Sequence, residues 1–400
     1  MESTSADRLA RELLEDCLAG RPWPEHLLAG LLDGSGDRAL FRIVVERLGD
    51  LFEPHLSSVY AELFSEVIAR RISELHAEHL AARYQRVRRP RVFDRDPAAI
   101  QDVFVLSRVT LGADVAITSV MLDAAKQRFP GARIWFAGPR KNWELFQADP
   151  RLSHLAIAYG RSGTLDDRLS IWRELREAVS KPASIVIDPD SRLTQLGLLP
   201  VCTEDDYYFF ESRAYGGASS DEPLPVLASR WAAETFGSRD PRPYIATGLD
   251  AARFATTVSF GVGENPDKRI ADPFEEELLE KLPRPVLIDK GAGGEEAQRV
   301  ERAVAKAGGG IEMWEGSFAG FAEHVARSRL YVGYDSAGGH VASACGVPSI
   351  IIFAGFACER MLQRWSPPGA HVLRGDSSVA RALVRAASTL LSTLGFPATS

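Results

Sequence analysis

Val332-Gly333-Tyr334-Asp335-Ser336-Ala337-Gly338-Gly339-His340-Val341-Ala342-Ser343-Ala344-Cys345-Gly346-Val347-Pro348 reads as a buried strand, a loop of small residues and a short helix. Gly-Val-Pro then leads into a second apolar strand, Ser349–Phe353. A strand feeding a helix through small residues brings first-turn N–H groups to the strand's carboxyl end, where they attract an anion. On this reading the backbone N–H groups from Ala337 through Gly338 and Gly339 to His340 point at an anion such as a phosphate. Asp335, at the strand end, can accept hydrogen bonds from sugar hydroxyls. The His340 imidazole has a plainer reading as a packed helix-start histidine with one nitrogen satisfied.

Outward from this stretch, short apolar runs alternate with amphipathic helical patterns. Strands are expected at Thr257–Gly261, Pro285–Ile288, Ile311–Trp314, Leu330–Gly333 and Ser349–Phe353. Between them lie helices at Phe274–Lys281, Glu295–Ala307, Phe318–Ser328 and His340–Cys345. The same alternation occupies an earlier region, with strands at Val103–Leu106, Ile134–Ala137, Leu155–Ala158 and Ser184–Ile187. Helices there are Ala116–Arg128 and Thr164–Val179. A Gly-, Pro- and charge-rich break from Ala218 to Arg242, holding one helix at Val226–Phe236, separates the two regions. The pattern predicts an α/β chain with two Rossmann-like parallel sheets facing a cleft. The expected layout is a helical N-terminal domain (1–96), two Rossmann-like domains (97–245 and 246–375) and a C-terminal helix (376–400) packing back on the first Rossmann-like domain.

Composition agrees with a folded chain of about two to three domains. Of its 400 residues, 45% are hydrophobic and 25% charged, which excludes disordered, collagen-like and disulfide-scaffold classes. The net charge of -7 argues against a globally basic nucleic-acid binder. Cys17, Cys202, Cys345 and Cys358 form no CxxC pair and read as reduced thiols, so no metal site is expected. The acidic, amphipathic start lacks signal-peptide features, and the longest apolar run, Val347 to Cys358, is too short to span a bilayer. These features point to a cytoplasmic protein, at most peripheral on the inner membrane face. The one basic run, Arg83 to Arg91, reads as a solvated linker. Its alternative is an anchor for anionic lipid or a phosphorylated acceptor.

Three further stretches sit at the ends of expected strands. Arg108-Val109-Thr110-Leu111-Gly112-Ala113-Asp114-Val115 follows the first strand and opens a helix. Asp114 there is either a cleft carboxylate or an N-terminal cap. Phe260-Gly261-Val262-Gly263-Glu264-Asn265-Pro266-Asp267-Lys268-Arg269 is neither a Walker A loop nor GxGxxG. Its Lys268 and Arg269 either hold a diphosphate or are ordinary surface cations. Asp188-Pro189-Asp190-Ser191-Arg192 ends another strand. Its Asp190 and Arg192 either contact an acceptor or form a loop ion pair.

The DSAGGHVASACGVPSIIIF stretch resembles the DTGxxHLAAALGxPxxxLF signature of glycosyltransferase family 9, the bacterial heptosyltransferases. LSRVTLGADVAITSVMLDAAKQRFPGARIWFAG is similar to that family's opening strand, Gly-Asp turn and helix. GENPDKRIADPFEEELLEKL resembles its lysine-bearing segment, and the likeness runs in order from about Ile100 to Pro367. It implies a GT-B fold and a metal-independent, inverting transfer from an NDP-sugar, ADP favoured. It implies Asp114 as general base, with Lys268 and Arg269 on the donor diphosphate beside the Ser336–His340 loop. Asp335 would bind the donor sugar, and the fold places acceptor contacts at Asp190 and Arg192. The acceptor would be a glycan, a lipopolysaccharide-type lipid-linked molecule or a protein. Three departures stand out: Ala113 is inserted before Asp114, Ser336-Ala337 replaces Thr-Gly, and a helical extension precedes the family region. The alternative is a catalytically silent GT-B binding protein acting, or forming homo-oligomers, through that extension.

Overall fold

A computed structural model describes residues 5–396 apart from 34–35, 161–162, 264 and 292. Glu264 of the second glycine-rich turn thus lies outside the described residues. Two all-parallel sheets dominate. The first holds β1 (Asp102–Leu106), β2 (Arg133–Gly138), β3 (Leu152–Ala156), β4 (Ser184–Asp188) and β5 (Tyr207–Phe209), ordered β3-β2-β1-β4-β5. The second holds β6 (Thr256–Ser259), β7 (Val286–Asp289), β8 (Ile311–Trp314), β9 (Leu330–Tyr334), β10 (Ser349–Phe353) and β11 (His371–Arg374). Its order is β11-β10-β9-β6-β7-β8. Both are Rossmann orders that reverse direction once, between β1 and β4 and between β6 and β9. A crevice opens at each reversal, at the carboxyl ends of the strands. All four sequence stretches singled out above follow one of these four strands.

The central strands are buried on both faces, and the alternation shows what covers them. In the first sheet, Val103, Val105, Ile185, Ile187 and Tyr208 face one apolar cluster, while Phe104, Leu106, Val186, Tyr207 and Phe209 face another. The second cluster is completed by the helix Leu165–Val179 and by the N-terminal helices, through Tyr60, Phe64, Val67, Leu80 and Tyr84. The N-terminal helical region therefore shares a continuous core with the first sheet. The arginines of the basic run are engaged in the same contact. Arg83 donates to Gly197 O (2.7 Å), Arg86 pairs with Glu204 (2.7 Å), Arg88 with Glu211 (2.9 Å), and Arg91 donates to Glu204 O (2.8 Å). The run is largely the end of the helix Ala77–Val87 clamped to the first sheet, and differs from the expected free linker.

The final helix, Ala380–Thr393, also differs from expectation. It lies on the second sheet, where Leu383, Val384, Ala387 and Leu391 join Val258, Leu278, Val286, Ile288 and Val332 in one cluster. The reason is steric. That face of the second sheet needs a third helix beside Phe274–Lys281 and Gly294–Ala307, whereas the first sheet is already covered. Each such buried aliphatic side chain contributes ~1.5–3 kcal/mol. Among the described residues no helix is long and apolar enough to cross a membrane.

Candidate active site

The donor-side stretch forms a compact cradle at the second sheet's reversal. β9 ends at Tyr334, Asp335 follows, and Ser336 caps the helix Ala337–Ala344 without a side-chain hydrogen bond. The Gly339 N–H closes onto Ser336 O (3.2 Å), so the N–H groups of Ala337 and Gly338 are those left for a ligand. The loop's small residues have a packing cause. A Cβ on Gly338 would lie 2.4 Å from the Tyr331 hydroxyl, and one on Gly339 would lie 2.8 Å from Ile351 Cδ1. The sequence pattern thus serves close packing of the helix on β9 and β10.

Lys268 reaches this cradle from the loop after β6. Its Nζ pairs with Asp335 Oδ2 at 2.6 Å and lies 3.5 Å from Asp335 O. Arg269, the next residue, turns away. It pairs with Asp272 and, at 3.2 Å, with Glu275, which Arg299 also meets at 3.1 Å. The structure therefore brings Lys268, Asp335, Ala337 and Gly338 together and leaves Arg269 in a structural ion-pair group. His340 is 5% exposed, its Nδ1 has no partner, and its ring meets the edge of Trp365. Burial pushes its pKa down to about 4, with Asp335 opposing and Lys268 adding to the shift. His340 is thus a neutral packed histidine at pH 7.

Asp114 is enclosed on the opposite side. Its carboxylate accepts hydrogen bonds from Ser107 Oγ (2.6 Å), the Arg108 N–H (2.7 Å), Thr118 Oγ1 (2.6 Å) and Asn142 Nδ2 (2.6 Å). None of the residue is exposed. Burial raises its pKa, and these four donors oppose the shift. Helical residues Leu111–Ala113 run into a π-turn at Asp114–Thr118 and then into Ser119–Arg128. A π-turn absorbs one extra residue in a helix, which is how the chain accommodates Ala113. In this arrangement Asp114, at the first sheet's reversal, holds the Ser107–Thr110 loop onto the helix.

The loop after β4 lies beside it. Asp190, 1% exposed and at φ 69°, pairs with Arg213 at 3.1 Å and accepts from Ser212 Oγ at 2.8 Å. Burial works against the Arg213 charge, but Asp190 together with Tyr84, Tyr60 and Glu211 raises the guanidinium pKa. Arg108, 3.9 Å from Asp190, donates to Pro189 O (2.5 Å) and Ser212 Oγ (2.8 Å). Asp190 is thus fully engaged within the first half. Arg192 is freer. Its only ion pair among the described residues is a 4.0 Å approach to Glu46.

The two reversals face each other. A Cβ on Gly112 would lie 3.1 Å from His340 Cδ2 and 3.2 Å from Ala337 Cα. One apolar cluster runs from Val115, Ala116 and Ile117 to Val341 and Ala342, joining the halves beside the cleft. Sequence reading missed Arg108, Arg213 and Asn142. Their partners are distant along the chain, and no local pattern marks them.

Two Rossmann-like sheets with opposed reversals and a close packed hinge of small residues define the GT-B fold of glycosyltransferases. Within that class the chain has the fold of the family 9 heptosyltransferases. The E. coli heptosyltransferase WaaC with ADP-2-deoxy-2-fluoro heptose superposes with a TM-score of 0.55 at 14% identity, over 73% of this chain and 99% of that one. WaaC with ADP superposes with a TM-score of 0.53 at 14% identity, over 74% of this chain and 100% of that one. No protein-family model and no curated protein matches the sequence.

Proposed function

We propose that the chain is a metal-independent, inverting glycosyltransferase that moves a sugar, heptose favoured, from an ADP-sugar to a glycan, lipid-linked or protein acceptor. The observation that carries this reading is the meeting of Lys268, Asp335 and the first turn of Ala337–Ala344 at the second sheet's reversal, opposite the first sheet's reversal. An arriving diphosphate would share Lys268 with Asp335 and take the Ala337 and Gly338 N–H groups. These donors oppose charge that grows on the leaving diphosphate, and they are already oriented before reaction. Asp335, released from Lys268 in part, would accept from a donor-sugar hydroxyl. Arg192, which follows β4 at the first sheet's reversal and has among the described residues only a 4.0 Å approach to Glu46, suits an acceptor phosphate or carboxylate. Direct displacement by an acceptor hydroxyl inverts the anomeric centre, as the family resemblance implies.

The test is ligand-induced stabilisation with ADP, UDP, GDP, CDP and their sugar conjugates, with and without EDTA. Ligand at a hundred times its dissociation constant adds ~2.7 kcal/mol of stability. An ADP-selective, EDTA-insensitive shift is expected. Lys268→Ala should weaken ADP binding by about tenfold or more, equivalent to roughly 1.4 kcal/mol. No shift with any nucleotide would overturn the donor site. ADP-sugar binding with no transfer to any acceptor or water would favour a silent binding protein.

A further inference from the structure

The N-terminal helical region is rooted on the first half of the molecule and also reaches the second. Its helix Pro54–Arg71 packs into the first sheet's core, and Tyr60 donates to Gln195 O at 3.1 Å. The turn just before that helix is held from the other side. Arg360 donates to Phe52 O at 3.1 Å and pairs with Glu53 at 2.9 Å. The Cys358 thiol lies 3.7 Å from both Asp50 O and Leu51 O. Phe52 is buried in one apolar cluster with Phe353 and Leu362, yet its φ is 52°. A bulky residue keeps that left-handed backbone only where its surroundings hold it there. The buried ring and the bond from Arg360 supply the hold.

The receiving loop continues to the donor site. Residues 354–358 join β10 to the helix Glu359–Trp365. In that loop Gly355 has φ 59°, and a Cβ on it would lie 2.5 Å from Asp267 C and 2.8 Å from Asp267 Cβ. The loop backbone therefore lies directly against the turn Pro266–Lys268, whose Lys268 pairs with Asp335 at 2.6 Å. The turn's own hydrogen bonds are local: Asp267 N–H to Asn265 Oδ1 (3.0 Å) and Lys268 N–H to Asn265 O (3.3 Å). They shape it without fixing where it sits. One line of direct contacts thus runs from Phe52 and Glu53 through Arg360 and the Gly355 loop to the lysine of the donor cradle. Its first members belong to the extension that lies outside the family resemblance.

We propose that Arg360 is a positioning residue for the donor diphosphate. By anchoring the loop 354–358 to the Phe52–Glu53 turn, it fixes the Pro266–Lys268 turn against which that loop packs, and with it the reach of Lys268. The assignment rests on the glycosyltransferase reading above. Arg360 itself touches no substrate. Its ion pair with Glu53 is partly exposed, 22% and 38% for the two side chains, so it adds little to folding. Its consequence is geometric, because a cation set slightly out of place loses much of its effect on a bound anion.

The experiment uses the full chain, with ADP affinity measured by calorimetry and backbone amide exchange followed without ligand. Arg360→Ala should weaken ADP binding about fivefold while the melting temperature stays within about 2 °C. Amide exchange across residues 265–269 should become faster in the same variant. Arg360→Lys keeps a donor for Phe52 O and a charge for Glu53, and should recover most of the affinity. Glu53→Gln should cost less than Arg360→Ala, since the bond to Phe52 O remains. In a Lys268→Ala background, Arg360→Ala should change affinity by less than about 1.5-fold, because the residue acts through that lysine. An equal loss in both backgrounds overturns the assignment, and so does unchanged affinity in Arg360→Ala. Unchanged exchange across 265–269 overturns it whatever the affinities. A wild type that binds no ADP overturns the transferase reading, and this assignment with it.

Discussion

The Asp114 carboxylate is tied tightly into the structure around it. Four donors converge on two oxygens in a site without solvent. Hydrogen bonds to a charged group are worth about 1.5–3 kcal/mol each, and leaving their partners buried and unpaired adds to the loss. Asp114→Ala should therefore lower stability by about 3 kcal/mol or more. Urea unfolding would show it as a lower midpoint at unchanged slope. A loss under about 1 kcal/mol would mean that the cage does not hold the Ser107–Thr110 loop. Part of this was legible in sequence. Thr118 lies four residues on, one helical turn away, and a capping role was among the readings. Asn142 follows β2, and nothing local announces that it reaches Asp114.

The helix Ala337–Ala344 is the element whose placement the donor site needs. Its glycines appear as small-residue spacing in sequence, and the structure supplies the cause: Gly338 leaves no room for a methyl beneath Tyr331. Gly338→Ala should push the helix off β9. Overpacking of this kind costs ~1–3 kcal/mol, and it would shift the Ala337 and Gly338 N–H groups. Stability and ADP affinity should fall together. Adding Tyr331→Leu, which removes the ring end, should return part of both in a double-mutant cycle. Purely additive losses would show that the ring contact is not the cause. Elements of this type were read well because hydrophobic runs flanked by Gly and Pro mark buried parallel strands without outside help. The three-residue β5 and the half-buried β11 were missed: Tyr207–Phe209 is short and follows directly on acidic Glu204–Asp206, and β11 has only Val372 and Leu373 as apolar residues. The final helix was recognised, but its partner was not. An apolar stripe shows that a helix must pack and leaves open which sheet receives it.

At the scale of the whole molecule, the N-terminal helical region and the first sheet stand or fall together. One face of that sheet presents Phe104, Leu106, Val186, Tyr207 and Phe209 to a cluster shared with Tyr60, Phe64 and Tyr84. Stripping the cover would expose five large apolar side chains at ~1.5–3 kcal/mol each, a sum on the order of 10 kcal/mol, comparable to the whole stability of a typical domain. It would also free Glu211 and Glu204 from Arg88 and Arg86. A fragment of residues 97–400 should therefore be aggregation-prone and should unfold without a cooperative transition by calorimetry. Fusing a soluble carrier would not restore ADP binding, because the deficit lies in the sheet face and not in solubility. Adding residues 1–96 back as a separate chain should recover a cooperative transition by rebuilding the shared core. A fragment that is monomeric, melts cooperatively and binds ADP like the full chain would show that the helical region is dispensable for folding.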